Sequence, residues 1–251
     1  MSASSNQNGT WDTVRNIYGK SAGTWTRVKR AFVKQNGTWT QFHGGNVFEV
    51  YSLGLEQSVV SASNRGLWAN GTTGFAGNRS YVLVTFDQYG NILTSNVYDV
   101  FGDSTNYANA NSATQYLISA LGSIPAGTPY VICSYDEPST NANALTSAVS
   151  NLFGGIPSII ASTMPYRGAY LAIGLANQAP VLETSCGTFM NSVSNPSASS
   201  PASDQGCLDA ILDYTFRVYN GQIVNLVQQR IGSNVVSNSH AVGAVTIADL
   251  V

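Results

Sequence analysis

Hydrophobic positions in residues 47–231 fall in short blocks separated by Gly, Asn and Ser, which predicts alternating strands, turns and two helices. The first block, 47–55, reads as a strand, and a Gly/Asn/Ser-rich stretch then runs to Asn78. The continuous apolar run at 81–86 predicts a buried strand. Asp87-Gln-Tyr-Gly90-Asn91 is a turn, and 92–100 completes a hairpin. Asp103 or Ser104 is placed to cap a helix, which carries Tyr107, Ala110, Ala113, Leu117, Ile118 and Leu121 on one face and stops at Gly122. Another strand is expected at 129–135. Leu145, Ala148, Val149 and Leu152 follow the i, i+3, i+4, i+7 spacing of a second amphipathic helix, ended by Gly154. Strands at 158–162 and 169–175 come next. A Ser/Ala/Pro loop at 192–203 leads to a hairpin of 210–219 and 222–231 about Asn220-Gly221, and to a last strand at 242–250.

The first 42 residues follow a different rule. Gly-Thr-Trp recurs at Gly9-Thr10-Trp11, Gly23-Thr24-Trp25 and Gly37-Thr38-Trp39, a constant 14-residue spacing. Residues after each Trp alternate with a period close to two, and an Asn-Gly or Ala-Gly pair precedes each Thr-Trp as a turn signal. Three strand–turn–strand copies predict a small β-meander with a row of tryptophans, too small to bury a core alone.

Composition divides the chain in the same place. Only 10% of the 251 residues are charged, against about 25% in average proteins, and Ser (30), Asn (23) and Gly (24) fill the gap. Residues 1–42 hold six of the eleven Lys/Arg against one acid, whereas the remainder holds five Arg, no Lys and twelve acids. The basic arm, with Arg27, Lys29 and Arg30 between the tryptophans, suits nucleic-acid binding, docking on an acidic protein partner or a solvated sheet face with protective basic residues. A pI near 5.6 argues against nucleic-acid binding by the whole chain. No apolar run approaches the ~18 residues of a membrane span. Met1-Ser-Ala-Ser-Ser-Asn6 lacks the basic and apolar regions of a signal peptide. Three cysteines do not suggest a disulfide scaffold, although Cys186 and Cys207 are placed to pair across the Ser/Pro/Ala stretch.

Two resemblances follow from these residues. The Gly-Thr-Trp-x-x-Val-(Arg/Lys)-x-x-(Tyr/Phe)-Val-Lys pattern resembles the short tryptophan repeats of tailed-phage virion proteins, found beside fibre or adhesin modules. Five motifs occur in order across about 46–180: Arg79-x-Tyr-Val-Leu-Val, the Asp87-x-x-Gly-x-Ile turn, Ser123-Ile-Pro-Ala-Gly-Thr128, Ser134-Tyr-Asp-Glu-Pro-Ser-Thr140 and Tyr166-Arg-Gly-Ala-Tyr-Leu-Ala-Ile-Gly174. Together they resemble the interleukin-like EMT inducer (ILEI) domain. That resemblance implies a β-sandwich with helices and implies binding rather than catalysis, since the domain occurs in cytokine-like proteins and in a glycan-recognising stem. The paired cysteines of the secreted members are missing. Asp136 and Arg167 match motif positions. They are either an ion pair or turn lock between two strand ends, or a carbohydrate contact in which Tyr135, Tyr166 or Tyr170 supplies the apolar platform.

Catalytic readings find little support. Phe101-Gly-Asp-Ser104 resembles the first block of GDS-type hydrolases, but a nucleophilic Ser needs a His oriented by a carboxylate. The two histidines are His43 and His240, and His240 lacks an Asp three residues before it. Two distant histidines make no metal site, and no phosphate-binding glycine loop is present. The expectation is therefore a strand-rich α+β protein: a β-meander anchor (1–45) docking through Trp11, Trp25 and Trp39, an ILEI-like β-sandwich with two helices (46–183), and a C-terminal β extension (184–251) that completes the sandwich or an oligomer interface. The expected role is a non-enzymatic, cofactor-free phage virion structural protein of tail fibre or spike type. It would assemble in the host cytoplasm as a homo-oligomer with other virion proteins and bind host-surface glycan. The alternative is a purely structural capsid decoration or tail-connector protein.

Overall fold

The computed structural model describes residues 4–7, 10–13, 18–27, 30–35, 38–44, 46–55, 60–70, 72–76, 78–103, 106–160, 167–186, 210–231 and 234–235. At the N-terminal end they form three antiparallel hairpins: β1 (Ser4–Gln7) with β2 (Thr10–Thr13), β3 (Tyr18–Ser21) with β4 (Thr24–Arg27), and β5 (Arg30–Gln35) with β6 (Thr38–Gly44). The Thr of each Gly-Thr-Trp sits in the closing pair: Gln7↔Thr10, Ser21↔Thr24 and Gln35↔Thr38. Between β3 and β4, Ala22 and Gly23 both have positive φ, 47° and 84°. That is the two-residue turn whose twist matches the twist of the strands it joins. Each hairpin is a separate two-stranded sheet, which corrects the expected meander: each ladder closes on its own turn and no described strand carries it to the next hairpin. Trp11, Trp25 and Trp39 stand opposite Asn6, Lys20 and Lys34. Arg27 ends β4 and Arg30 begins β5, and Lys29 lies outside the described residues.

From Val47 onward the strands are β7 (Val47–Gly54), β8 (Gly66–Ala69), β9 (Thr72–Ala76), β10 (Ser80–Phe86), β11 (Ile92–Tyr98), β12 (Pro129–Asp136), β13 (Ala169–Leu175), β14 (Leu182–Cys186), β15 (Ile211–Tyr219), β16 (Gln222–Ile231) and β17 (Asn234–Val235). Helices α1 (Ala113–Gly122) and α2 (Ala142–Leu152) complete a strand-rich α+β fold. The strands make one mixed sheet that forks into two halves, β11-β10-β12-β13-β14 and β9-β8-β7-β15-β16-β17. Two parallel pairs join the halves, Tyr135↔Leu53 and Asp136↔Gly54.

The apolar runs of β10, β12 and β13 are explained by burial on both faces. Alternate residues Val82, Val84, Phe86, Val131, Cys133, Leu171 and Ile173 face the other half of the sheet, where they pack with Phe48, Leu212, Tyr214 and Phe216. The interleaved residues Tyr81, Leu83, Tyr130, Ile132, Tyr170 and Ala172 pack under the helices, against Leu117, Leu121, Leu145, Val149 and Leu152. Helices, first half and second half are thus three layers. Phe48, Phe86 and Phe216 join the two sheet layers, with ring centroids 4.7 to 5.9 Å apart and no exposed surface. Aromatic pairs at such separations contribute about 0.5–1.5 kcal/mol beyond their area.

Several expectations change. The first helix starts at Ala113, not near Asp103; Tyr107 and Ala110 lie in turns before it. Ser112 Oγ caps it by accepting from Gln115 N at 3.1 Å. The Asp103 carboxylate still serves the helix, accepting from Ala113 N at 3.0 Å and Thr114 N at 2.6 Å after the chain loops back. Residues 158–160 form no strand, because their polar groups are held by Glu183 instead of a ladder. The Gly/Asn-rich stretch before 78 contains a hairpin, β8–β9, entered through Asn70 at φ 53°. From the expected C-terminal extension, β15 pairs with β7 along Val47–Leu53 and belongs to the central sheet. Residues 192–203 and 242–250 lie outside the described residues.

Candidate functional site

The fork between the two sheet halves gathers three buried polar residues, Ser52, Ser134 and Glu137. The β12–β13 ladder ends at Cys133↔Leu171, and side-chain hydroxyls replace the next rung. Ser52 Oγ accepts from Ser134 N (3.0 Å) and Tyr170 N (3.2 Å) and donates to the Tyr170 carbonyl (2.7 Å). Ser134 Oγ accepts from Tyr170 N at 2.8 Å. Both serines are fully buried, so they satisfy backbone groups that water does not reach. Two residue pairs further on, Gly54 faces Asp136. A Cβ on Gly54 would lie 2.1 Å from the Arg167 carbonyl oxygen and 2.6 Å from Ala210 Cβ. Only glycine lets the ends of β7 and β12 and the residue before Gly168 meet this closely.

Glu137 locks the turn that follows β12. It is buried, and its carboxylate accepts from Ser139 N (3.1 Å), Ser139 Oγ, Thr140 N (3.0 Å) and Arg167 N (3.4 Å). Asp136 and Arg167, on either side of this lock, both adopt left-handed backbone at φ 68° and 52°. Such conformations are uncommon outside glycine and cluster where function requires them.

Around Asp136 the surface carries cations stacked on aromatic rings. The Arg65 guanidinium lies over the Tyr135 ring at 4.5 Å and donates to the Ala62 carbonyl at 2.7 Å. Arg79 lies over the Phe101 ring at 4.5 Å and binds Asp99 through two hydrogen bonds of 2.8 and 2.7 Å. Burial disfavours the Asp99 carboxylate, but Arg79 and the Gly102 N–H outweigh it and hold the group below its ordinary value. Asp136 goes the other way. Burial raises its carboxyl above the ordinary range, the positive charges of Arg167 and Arg79 offset part of that rise, and the negative charges of Glu137 and Asp99 add to it. Glu137 accepts four hydrogen bonds; the partly buried Asp136 carboxylate accepts none from any described residue.

The residues expected to bind carbohydrate therefore separate. Tyr135, Asp136 and Arg167 come together at the fork. Tyr166 lies outside the described residues. Tyr170 is not a platform, which corrects that expectation: its ring is wholly buried, edge-on to Tyr81 at 6.2 Å, and its hydroxyl donates to Glu183 at 2.7 Å. It falls on the helix-facing side of β13, and strand alternation sends that side inward. The turn lock exists, but Glu137 makes it, one residue beyond the expected Asp136. Sequence reasoning missed Arg65 and Arg79 as well. Arg79 opens a quoted motif, whereas Arg65 sits in a stretch with no pattern to mark it.

Other chemistry has little to stand on. Asp103 is committed to the start of α1; Ser104 and His240 lie outside the described residues. No group of three or more His, Cys, Asp or Glu side chains that could hold a metal occurs among the described residues. A groove between α1 and α2, lined by Ile118, Leu121, Ala144, Ala148, Leu152, Asn151 and Asn177 among others, has no titratable side chain for acid–base work. Among the described residues no helix is long and apolar enough to cross a membrane. No protein-family model matches the chain, and no curated protein matches it.

Proposed function

We propose that the chain is a carbohydrate-binding structural protein of a tailed-phage virion, of tail fibre or spike type. In this reading the basic tryptophan hairpins attach it to other virion proteins, and the ILEI-like body (46–183) presents the fork to host-surface glycan. One observation carries the binding role: Asp136 is a partly buried carboxylate on left-handed backbone that takes no hydrogen bond from any described residue, flanked by guanidinium groups. A sugar hydroxyl donates to such a carboxylate, and a neighbouring hydroxyl oxygen accepts from arginine; charge-assisted bonds of this kind are roughly twice as strong as neutral ones.

The test is a glycan array probed with the full chain and with Asp136→Ala and Arg65→Ala. Binding by the wild type that both substitutions remove, with circular dichroism unchanged, supports the reading. Absence of wild-type binding overturns it. That outcome favours a purely structural role in capsid decoration or a tail connector, for which one observation also speaks: at the fork, Tyr135 and Phe101 are each covered by a guanidinium, so neither ring face over which an arginine lies is open to a sugar. Antibody labelling of intact particles distinguishes tail from capsid.

A further inference from the structure

We infer that β11 is a homotypic interface, at which two copies of the chain pair their β11 strands antiparallel about a twofold axis through Ser95. The inference is independent of glycan binding. Among the described residues β11 ends its half of the sheet and pairs on one side with β10, so its other side offers backbone N–H and C=O groups to a further strand. Native edges of this kind are blunted by lysine, proline, inward-pointing charge or a β-bulge. Ile92–Tyr98 contains no lysine, proline or charged residue, and its one bulge, at Leu93, leaves Thr94–Tyr98 in regular register with β10. Two apolar side chains stand in solvent instead, Leu93 at 58% exposure and Val97 at 36%. Leu93 is the extra residue of a bulge, since Thr94 pairs with Thr85 and Ile92 with Phe86, which leaves Leu93 without a partner on β10.

The order of residues identifies the occupant as a second copy. About Ser95 the strand reads apolar, apolar, polar, polar, polar, apolar, apolar. Twofold antiparallel pairing then sets Leu93 against Val97, Ile92 against Tyr98, Thr94 against Asn96 and Ser95 against itself. Each exposed apolar side chain meets the other, and opposite pairs at ~4.5–5.5 Å are the unit of sheet stabilisation. Just beyond the strand Asp99 falls opposite Asn91, so no like charges face each other. That matters because residues 43–251 carry twelve acids and five arginines, and two such bodies repel except where an uncharged surface meets its copy. The helix packed against β11 is α1, which exposes Tyr116. A seven-residue strand spans about 23 Å. With its flanking layer that gives on the order of 500 Å² per partner, toward the small end of specific interfaces.

The decisive experiment uses the full chain with Cys186→Ser and Cys207→Ser. Cys133 stays in place because it is buried, with its thiol pushed up to about 12. Adding Ser95→Cys is expected to give a disulfide-linked dimer on a non-reducing gel under mild oxidant, and Gln88→Cys in the exposed turn before β11 is expected to give none. Separately, Leu93→Lys with Val97→Lys is expected to weaken self-association at least tenfold in sedimentation equilibrium while circular dichroism is retained. Failure of Ser95→Cys to cross-link overturns the inference, as does a mass that the lysine pair leaves unchanged. Oligomers held elsewhere in the chain, or a β11 edge that serves a different protein, give one of those two results.

Discussion

Replacing Gly54 by alanine tests how the two sheet halves are held together. The added Cβ would sit 2.1 Å from the Arg167 carbonyl oxygen and 2.6 Å from Ala210 Cβ. Neither obstacle is the flexible end of a side chain. The first is backbone tied to Glu137 through Arg167 N, and the second adjoins the hydrogen bond from Gly54 N to the Ala210 carbonyl at 2.8 Å. Reaching an ordinary contact requires the strand ends to part by more than an ångström. Overpacking costs typically 1–3 kcal/mol, and a backbone clash lies at the top of that range, about 3 kcal/mol. For a chain of this size each kcal/mol moves Tm by roughly 2–4 °C, so Gly54→Ala is expected to melt about 6–12 °C lower by differential scanning calorimetry. Gly122→Ala is the matched control. It closes α1 with nothing within 4 Å of the added atom, and helix propensity alone predicts a gain of up to ~1 kcal/mol. A Gly54→Ala protein within about 0.5 kcal/mol of wild type would refute the close approach at the fork.

Two further substitutions address the same region. Ser52→Ala removes the acceptor of Ser134 N and one acceptor of Tyr170 N; each buried backbone group so exposed costs ~1–3 kcal/mol. Chemical denaturation should show a loss of about 2–3 kcal/mol, and a loss below 0.5 would mean that the hydroxyl does not substitute for the missing rung. Asp136→Asn should act in the opposite direction and depend on pH. Burial raises the folded-state carboxyl, so the folded chain holds this proton more tightly than the unfolded chain does. Stability contributed by the wild-type group therefore falls as pH rises from ~3.9, the unfolded value, through the raised folded value, and stays lower above it. Asn suits the left-handed backbone. The variant should be the more stable protein at pH 7 and equal to wild type below about pH 3.9; a less stable variant at pH 7 would contradict the burial argument.

Pattern alone located the elements whose periodicity is set by burial. The runs at 81–86 and 129–135 lie within β10 and β12, which begin or end one residue further out. The run at 169–175 coincides with β13. Asn220-Gly221 marks the β15–β16 hairpin, with Asn220 at φ 48°. Periodicity gave no sign that residues 107–111 lie in turns before α1, because Asp103 reaches the helix start across ten residues. Nor did it find β8 and β9, whose Gly and Thr content reads as loop. The site was half legible. Its motif Ser134–Thr140 was visible, but local spacing does not say which of two adjacent carboxylates is turned inward, and Glu137 takes that place while Asp136 stays at the surface. The pairing of Ser52 with Ser134 and Tyr170 spans 82 and 118 residues. Only the completed fold brings these residues together.

The junction between the hairpins and the body has a mechanical meaning. Gly44 ends β6 and Val47 begins β7 three residues later, so tension on the N-terminal hairpins enters the body at the first residue of β7. β7 is an inner strand, paired with β15 over Val47–Leu53 and with β8 over Phe48–Tyr51. A pull along that axis loads these hydrogen bonds together in shear, whereas a pull across it would break them one after another like a zip. Force is shared between two ladders before any single rung can yield.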